Sequence, residues 1–157
     1  MGKNEIILVK TTGRHLRSIA ERFRPEEARE CLALCNESPL EALSRSWVYS
    51  KEVHTIMLDG LPLGVVGITD GPDENGWWNP WLLGTTDILK HKMTFLRACR
   101  AYLPQYLIVY QKLRTYIDAR YELSLRWAKW LGCEICEPAP FGKNGALFCE
   151  VRLWAAQ

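Results

Sequence analysis

Residues 114–133, RTYIDARYELSLRWAKWLGC, constrain the chain more than any other segment. The run from Thr115 to Ala119 reads as a short strand. From about Glu122 to Leu131, the spacing of Leu123, Trp127 and Trp130 with Leu131 predicts a helix with one apolar face. Gly132 falls where a helix ends in a left-handed residue, a conformation that glycine adopts without steric cost. Cys133 to Glu137 then reads as a second strand.

The remaining elements fall in order around this unit. Ile6 to Lys10 predicts a first strand. Thr11 or Thr12 caps a helix to about Phe23, with Leu16, Ile19, Ala20 and Phe23 on one face. Pro25 opens a helix from Glu26 to Cys35, at the position proline tolerates best. Ser38-Pro39 repeats that start signal for a helix to about Tyr49. Val53 to Asp59 and Leu63 to Thr69 read as a hairpin turning at Gly60-Leu61-Pro62. After a polar loop at 70–76, Trp78 to Leu83 is a fourth strand. Gly84-Thr85-Thr86-Asp87 then forms a turn and cap for a long helix, Ile88 to about Leu113, which Pro104 is expected to kink or divide. A loop at 138–145 leads to a last strand, Ala146 to Trp154, with period-two alternation. The fold class is α/β (α+β), with a mixed, mostly antiparallel central sheet flanked by helices. The length of 157 residues fits a single domain, 1–157.

Hydrophobic residues make up 48% of the chain, enough for a core without covalent staples. The net charge of +2 is too mild to argue for nucleic acid as a partner. Arg14, Arg17, Arg22 and Arg24 share their region with Glu21, Glu26, Glu27 and Glu30, and that mixture reads as a solvated helix surface. The apolar run at residues 6–9 is too short for a signal peptide, and no stretch approaches the roughly 20 apolar residues of a membrane span. A soluble protein of a reducing compartment is expected. Cys31 and Cys35 lie four apart on a helix, and Cys133 and Cys136 form a C-x-x-C. Four thiolates can close a zinc site, but residues three apart on a strand point to opposite faces. The cysteines read better as small buried hydrophobes, and no metal is expected.

The order of strand, helix, "lysine, aromatic, Leu, Gly" and strand at 115–137 resembles the last third of GNAT-type acyltransferases, in which a helix ending in Tyr-x-Lys-Leu-Gly-Phe packs beside coenzyme A. The wording Tyr116-Ile117-Asp118-Ala119-Arg120 with Arg126-Trp127-x-Lys129-Trp130-Leu131-Gly132 is closer still to the GNAT-like proteins of short-tailed bacteriophages, some of which are internal virion proteins. The element order extends the resemblance over nearly the whole chain, with residues 80–133 its specific part. It implies acetyl-CoA or CoA as cofactor. It also implies, as partner, either an amine acceptor or a host bacterial or phage virion protein held by contact. The implied setting is the bacterial host cytoplasm during infection or the inside of the phage particle.

Acyl transfer from coenzyme A to an amine needs a grip on the pyrophosphate, a free amine and a proton for the leaving thiolate. The resemblance places the pyrophosphate at the start of the helix after the fourth strand, where a Gln/Arg-x-x-Gly-x-Gly/Ala loop offers N–H groups. Here that place reads Leu82-Leu83-Gly84-Thr85-Thr86-Asp87. One glycine remains, the basic residue is absent, and Asp87 adds a negative charge. Leu83, Gly84, Thr85, Thr86, Lys90 and His91 are the cofactor-binding candidates. The family's thiolate-protonating tyrosine falls at Ala128, which cannot donate. Tyr121, Ser124 or Tyr116 would have to replace it, and spacing singles out none of them. His54, Glu52 and Asp118 are candidate bases, although Arg120 beside Asp118 would lower its pKa and make it a poorer base. Trp78 and Trp81 on the fourth strand, with Tyr116, are expected to wall a substrate or partner cleft. Sheet packing is the competing account of those tryptophans.

Overall fold

The computed structural model describes residues 4–156. Its elements follow the expected order: β1 (Ile6–Lys10), α1 (Gly13–Glu21), α2 (Pro25–Cys35), α3 (Pro39–Val48), β2 (Ser50–Leu58), β3 (Leu61–Thr69), β4 (Pro80–Gly84), α4 (Asp87–Lys90), α5 (Lys92–Tyr110), β5 (Lys112–Asp118), α6 (Glu122–Trp130), β6 (Glu134–Ile135), β7 (Ala139–Pro140) and β8 (Leu147–Trp154). β1-β2-β3-β4 form one antiparallel sheet, and β5-β8-β6, with β7 also on β8, form another.

The two sheets meet at one point. Trp78, just before β4, bridges in parallel to Leu113 on β5. The Trp78 N–H donates to the Lys112 carbonyl at 2.9 Å, and the Arg114 N–H donates to the Trp78 carbonyl at 2.8 Å. Beyond this bridge no ladder joins β4 to β5 among the described residues, so the strands part in a V.

Apolar clusters fill both faces of the first sheet. On one face Ile56, Leu58 and Leu63 pack with Ile88 and Phe95 of α4 and α5, joined by Trp127 of α6. On the other face Val65 packs with Leu16 and Ile19 of α1 and Leu43 of α3. Alternation sends Val66 to the first face and Val65 to the second, and a bulge between the Gly64 and Pro62 pairings turns Leu63 to the first face, so one strand serves two helix layers. β5 and β8 bury Ile117 and Val151 under Tyr121 and Ala128.

α6 is capped as its sequence requires. Gly132 has φ +94°, its N–H donates to the Lys129 carbonyl at 3.0 Å, and the Cys133 N–H reaches back to the Ala128 carbonyl at 3.1 Å. Four expectations need correction. The hairpin turns at Asp59-Gly60, both with positive φ, because an Asp-Gly pair suits the two-residue turn that matches strand twist. The long helix is broken at His91 rather than at Pro104, which sits inside an unbroken α5. That helix ends at Tyr110, so Lys112 and Leu113 begin β5. Trp130 is exposed and lies under the Arg100 guanidinium at 4.0 Å, so the core face of α6 is Leu123, Trp127 and Ala128.

Candidate functional site

A cavity of about 630 Å³ opens where β4 and β5 part. Trp81, Leu82 and Leu83 line it from β4, and Thr115, Tyr116 and Ile117 line it from β5. α5 contributes Lys92, Phe95 and Cys99, and α6 contributes Ser124, Trp127 and Ala128. Most of the wall is apolar. Arg24, Glu27 and Glu30 line it where α2 crosses the mouth of the V.

That crossing begins with a proline. Pro25 restricts the preceding residue to extended backbone, and Arg24 has φ −67° and ψ 132°. The extended Arg24 lays its N–H against the Gly84 carbonyl at 3.1 Å, so the start of α2 docks on the end of β4. Residues three apart share a helix face, and Glu27 and Glu30 use that spacing to reach both strands. The Glu27 carboxylate accepts the Gly84 N–H, and Glu30 Oε2 accepts the Asp118 N–H at 3.0 Å. Two glutamates of one helix thus take backbone donors from the ends of both parted strands.

The electrostatics follow from this burial. Glu27 is 4% exposed. Loss of hydration pushes its carboxyl up to about 8, against the Gly84 hydrogen bond and the Arg24 charge. Glu30 is pushed up to about 7, again chiefly by burial, against the Asp118 N–H. Both groups line the cavity. The expectation of a solvated surface therefore fails for Arg24 and Glu27, both buried, because this face of α2 packs over the V instead of facing water.

Tyr121, just before α6, is 3% exposed and lines the same end of the cavity. Its hydroxyl has no hydrogen-bond partner, and the Arg24 guanidinium lies 5.2 Å from its ring centre. Burial, with the nearby Glu27 charge, drives the phenol well above its ordinary value, so it keeps its proton. Ser124, one turn into α6, is half-buried on the same wall.

The other candidates divide clearly. Asp118 is 1% exposed. Burial works to raise its pKa, but the Arg120 side-chain and backbone hydrogen bonds and the Arg120 charge hold it below the usual carboxylate range. Both its oxygens are held by Arg120, at 2.7 to 3.0 Å, which makes it an anchor rather than a base. His54 lies on β2 opposite Lys10 and Val66, 3.8 Å from Glu52, and does not line the cavity. Trp81 is a wall residue, and its indole N–H donates to Ser50 at 2.8 Å. Trp78 is not: it packs on Tyr110 at 5.0 Å, beside Leu113, as part of the seam between the sheets. Tyr116 lines the cavity and stacks on Phe141 at 3.8 Å.

The turn after β4 is largely self-satisfied. Thr85 is fully buried, and both its N–H and its hydroxyl donate to the Leu63 carbonyl, at 2.9 and 2.8 Å. The Thr86 N–H donates to the Arg22 carbonyl at 3.3 Å, while Asp87 pairs with Arg22 and with Lys90. Of this region's basic residues, Lys92 reaches the cavity wall and Lys90 and His91 do not. Among the described residues no group of three or more His, Cys, Asp or Glu could hold a metal. No helix there is long and apolar enough to cross a membrane.

Sequence reasoning missed Glu27, Glu30 and Arg24. The available signal was Arg24-Pro25, an extended residue ahead of a helix start, with two carboxylates at i, i+3 behind it.

No protein-family model and no curated protein matches this sequence. Solved structures do match the fold. A GNAT-family acetyltransferase from Bacillus anthracis superposes with TM-score 0.69 at 9% identity, covering 98% of this chain and 97% of that one. An acetyltransferase from Thermus thermophilus gives 0.67 at 13%, covering 96% and 97%. An N-acetyltransferase from Staphylococcus aureus gives 0.62 at 9%, covering 96% and 98%. The chain adopts the fold of the GNAT acetyltransferases, a mixed α/β architecture of antiparallel sheets flanked by helices.

Proposed function

We propose that this chain is an acetyl-CoA-dependent N-acyltransferase. The observation that carries this reading is the convergence of Glu27, Glu30 and the unpartnered Tyr121 hydroxyl on one end of the apolar cavity between β4 and β5. The residues fit a thioester carried on a long, thin arm. The walls are mostly apolar, and beyond the Trp78–Leu113 bridge no ladder closes β4 on β5 among the described residues. Lys92 stands on the wall at the α5 end, with Lys90 and His91 just outside. Acetyl-CoA would supply the activated acyl group.

The chain's own residues would do the rest. An ionised Glu27 takes a proton from the incoming ammonium, and a group held near 8 still does so at mildly alkaline pH. Glu30, lower at about 7, keeps negative charge beside it. Tyr121, protonated and unpartnered, delivers a proton to the departing sulfur in place of the absent tyrosine at Ala128. Water is kept out by Phe95, Trp127 and Leu83. Calorimetric titration with acetyl-CoA and with CoA tests the reading. Micromolar binding supports it, and no binding at millimolar ligand refutes it.

A second reading has the fold acting by contact, as a phage virion component or on a host bacterial protein. It draws support from Ala128 and from the turn at 84–86, whose N–H groups already have acceptors within the chain. Exposed Ile108 and Val109 on α5 would be the contact surface. Loss of CoA binding together with capture through those two residues would favour it.

A further inference from the structure

Arg24 is the group at this site that acid–base chemistry does not use. It is 7% exposed, and its Nε and Nη2 have no hydrogen-bond partner. Its one close neighbour of note is the Tyr121 ring. Although Glu27 lies three residues on, no ion pair of Arg24 forms among the described residues. A buried guanidinium with idle donors is costly, and burial of such a fork is repaid when it meets a planar anion in bidentate geometry. Arg24 is among the residues that line the cavity, as are Glu27, Glu30 and Tyr121.

Resting on the acyltransferase reading, we propose that the acceptor is an amine that also bears a carboxylate, with the carboxylate seated on Arg24 and the amine directed at Glu27. The nearby walls set the rest of its character. Cys31, Leu34 and Ile117 are apolar, and they suit an amino carboxylate with an apolar body. The amine forms its amide bond with the acyl carbon and loses one proton, and the thiol leaves carrying one. The carboxylate is unchanged. A positively charged or neutral acceptor would leave Arg24 buried and unpaired, and a site built around a polar group rejects an analogue lacking it.

The test compares two products that differ only in the carboxylate. N-acetylleucine and N-(3-methylbutyl)acetamide are titrated into the wild-type protein with CoA present, then into Arg24→Gln and Arg24→Lys. The wild type should bind N-acetylleucine about 10- to 100-fold more tightly. Arg24→Gln should remove the preference, and Arg24→Lys should keep part of it. Equal wild-type affinities for the two ligands overturn the proposal without recourse to any variant, as does a preference that survives in a folded Arg24→Gln. The acyltransferase reading stands or falls separately, on whether acetyl-CoA itself binds.

Discussion

Replacing Glu27 with Gln should make the protein more stable at alkaline pH, with an effect large enough to isolate. The native carboxyl titrates near 8, against 4.5 for an ordinary glutamate, a difference of about 3.5. The sign follows from proton counts. Between those two values the native state holds a proton that the unfolded chain has released, so stability falls as pH rises. The stabilisation is complete below pH 4.5 and gone above about 8. At 1.36 kcal/mol per unit the whole span is worth on the order of 5 kcal/mol. Glu30 behaves in the same way but is already half titrated near 7. Glu27 therefore dominates the window from pH 7 to 8 and should itself cost the wild type roughly 1 kcal/mol across it. Glutamine keeps a carbonyl to accept the Gly84 N–H and has nothing to ionise. Urea denaturation at pH 5, 6, 7 and 8 should show both proteins declining up to about 7, the wild type more steeply because two carboxyls contribute to its slope. From 7 to 8 the wild type should decline by roughly 1 kcal/mol more than the variant. If Glu27→Gln declines equally between 7 and 8, Glu27 is not a buried acid and the site loses its base.

Gly132→Ala should destabilise by about 1 kcal/mol in urea titrations, because φ is +94° and an added Cβ meets nothing within 4 Å, so the cost is conformational alone. Gly67→Ala should cost about 2–3 kcal/mol. Its Cβ would fall 2.6 Å from Trp81 Cζ2 and 2.9 Å from the Glu52 carbonyl, and a shift in tryptophan emission should accompany the loss. Tyr121→Phe should leave the melting temperature unchanged or slightly raised, since it removes a buried hydroxyl without a partner. The same change should lower acceptor-dependent thiol release from acetyl-CoA by about 10²-fold, checked by a thiol-specific dye.

The order of elements was legible because each carries a local signal. Pro25 and Pro39 start helices, Gly132 stops one, and period-two runs make β2, β3 and β8. Errors arose where a local signal had competitors. Pro104 reads as a breaker, but α5 runs through it unbroken. Asp59-Gly60 outranked Leu61-Pro62 beside it. The site was less legible. Tyr121, Ser124, Tyr116, Leu83 and Trp81 do line the cavity. However, no spacing could reveal that α2 crosses the V, because that depends on two backbone N–H groups, at Gly84 and Asp118, that are 34 residues apart in sequence. Charged residues at 24, 27 and 30 look solvated until the parted strands supply their partners.

Tyr121 precedes α6, and Ala128 lies seven residues on, two turns along the same face, within the same buried cluster. A small residue at 128 leaves open the part of the cavity that a tyrosine there would fill. Ala128→Tyr should therefore weaken CoA binding, because it adds a ring to a position only 3% exposed. In a Tyr121→Phe background it should not restore thiol release. Restoration by the double variant would mean that the sulfur sits opposite position 128, and Tyr121 would then be a wall of the site rather than its acid. Failure to restore, with the fold intact by circular dichroism, would keep the donor at the α2 end of the cavity, beside Arg24 and Glu27, where the acceptor must also enter.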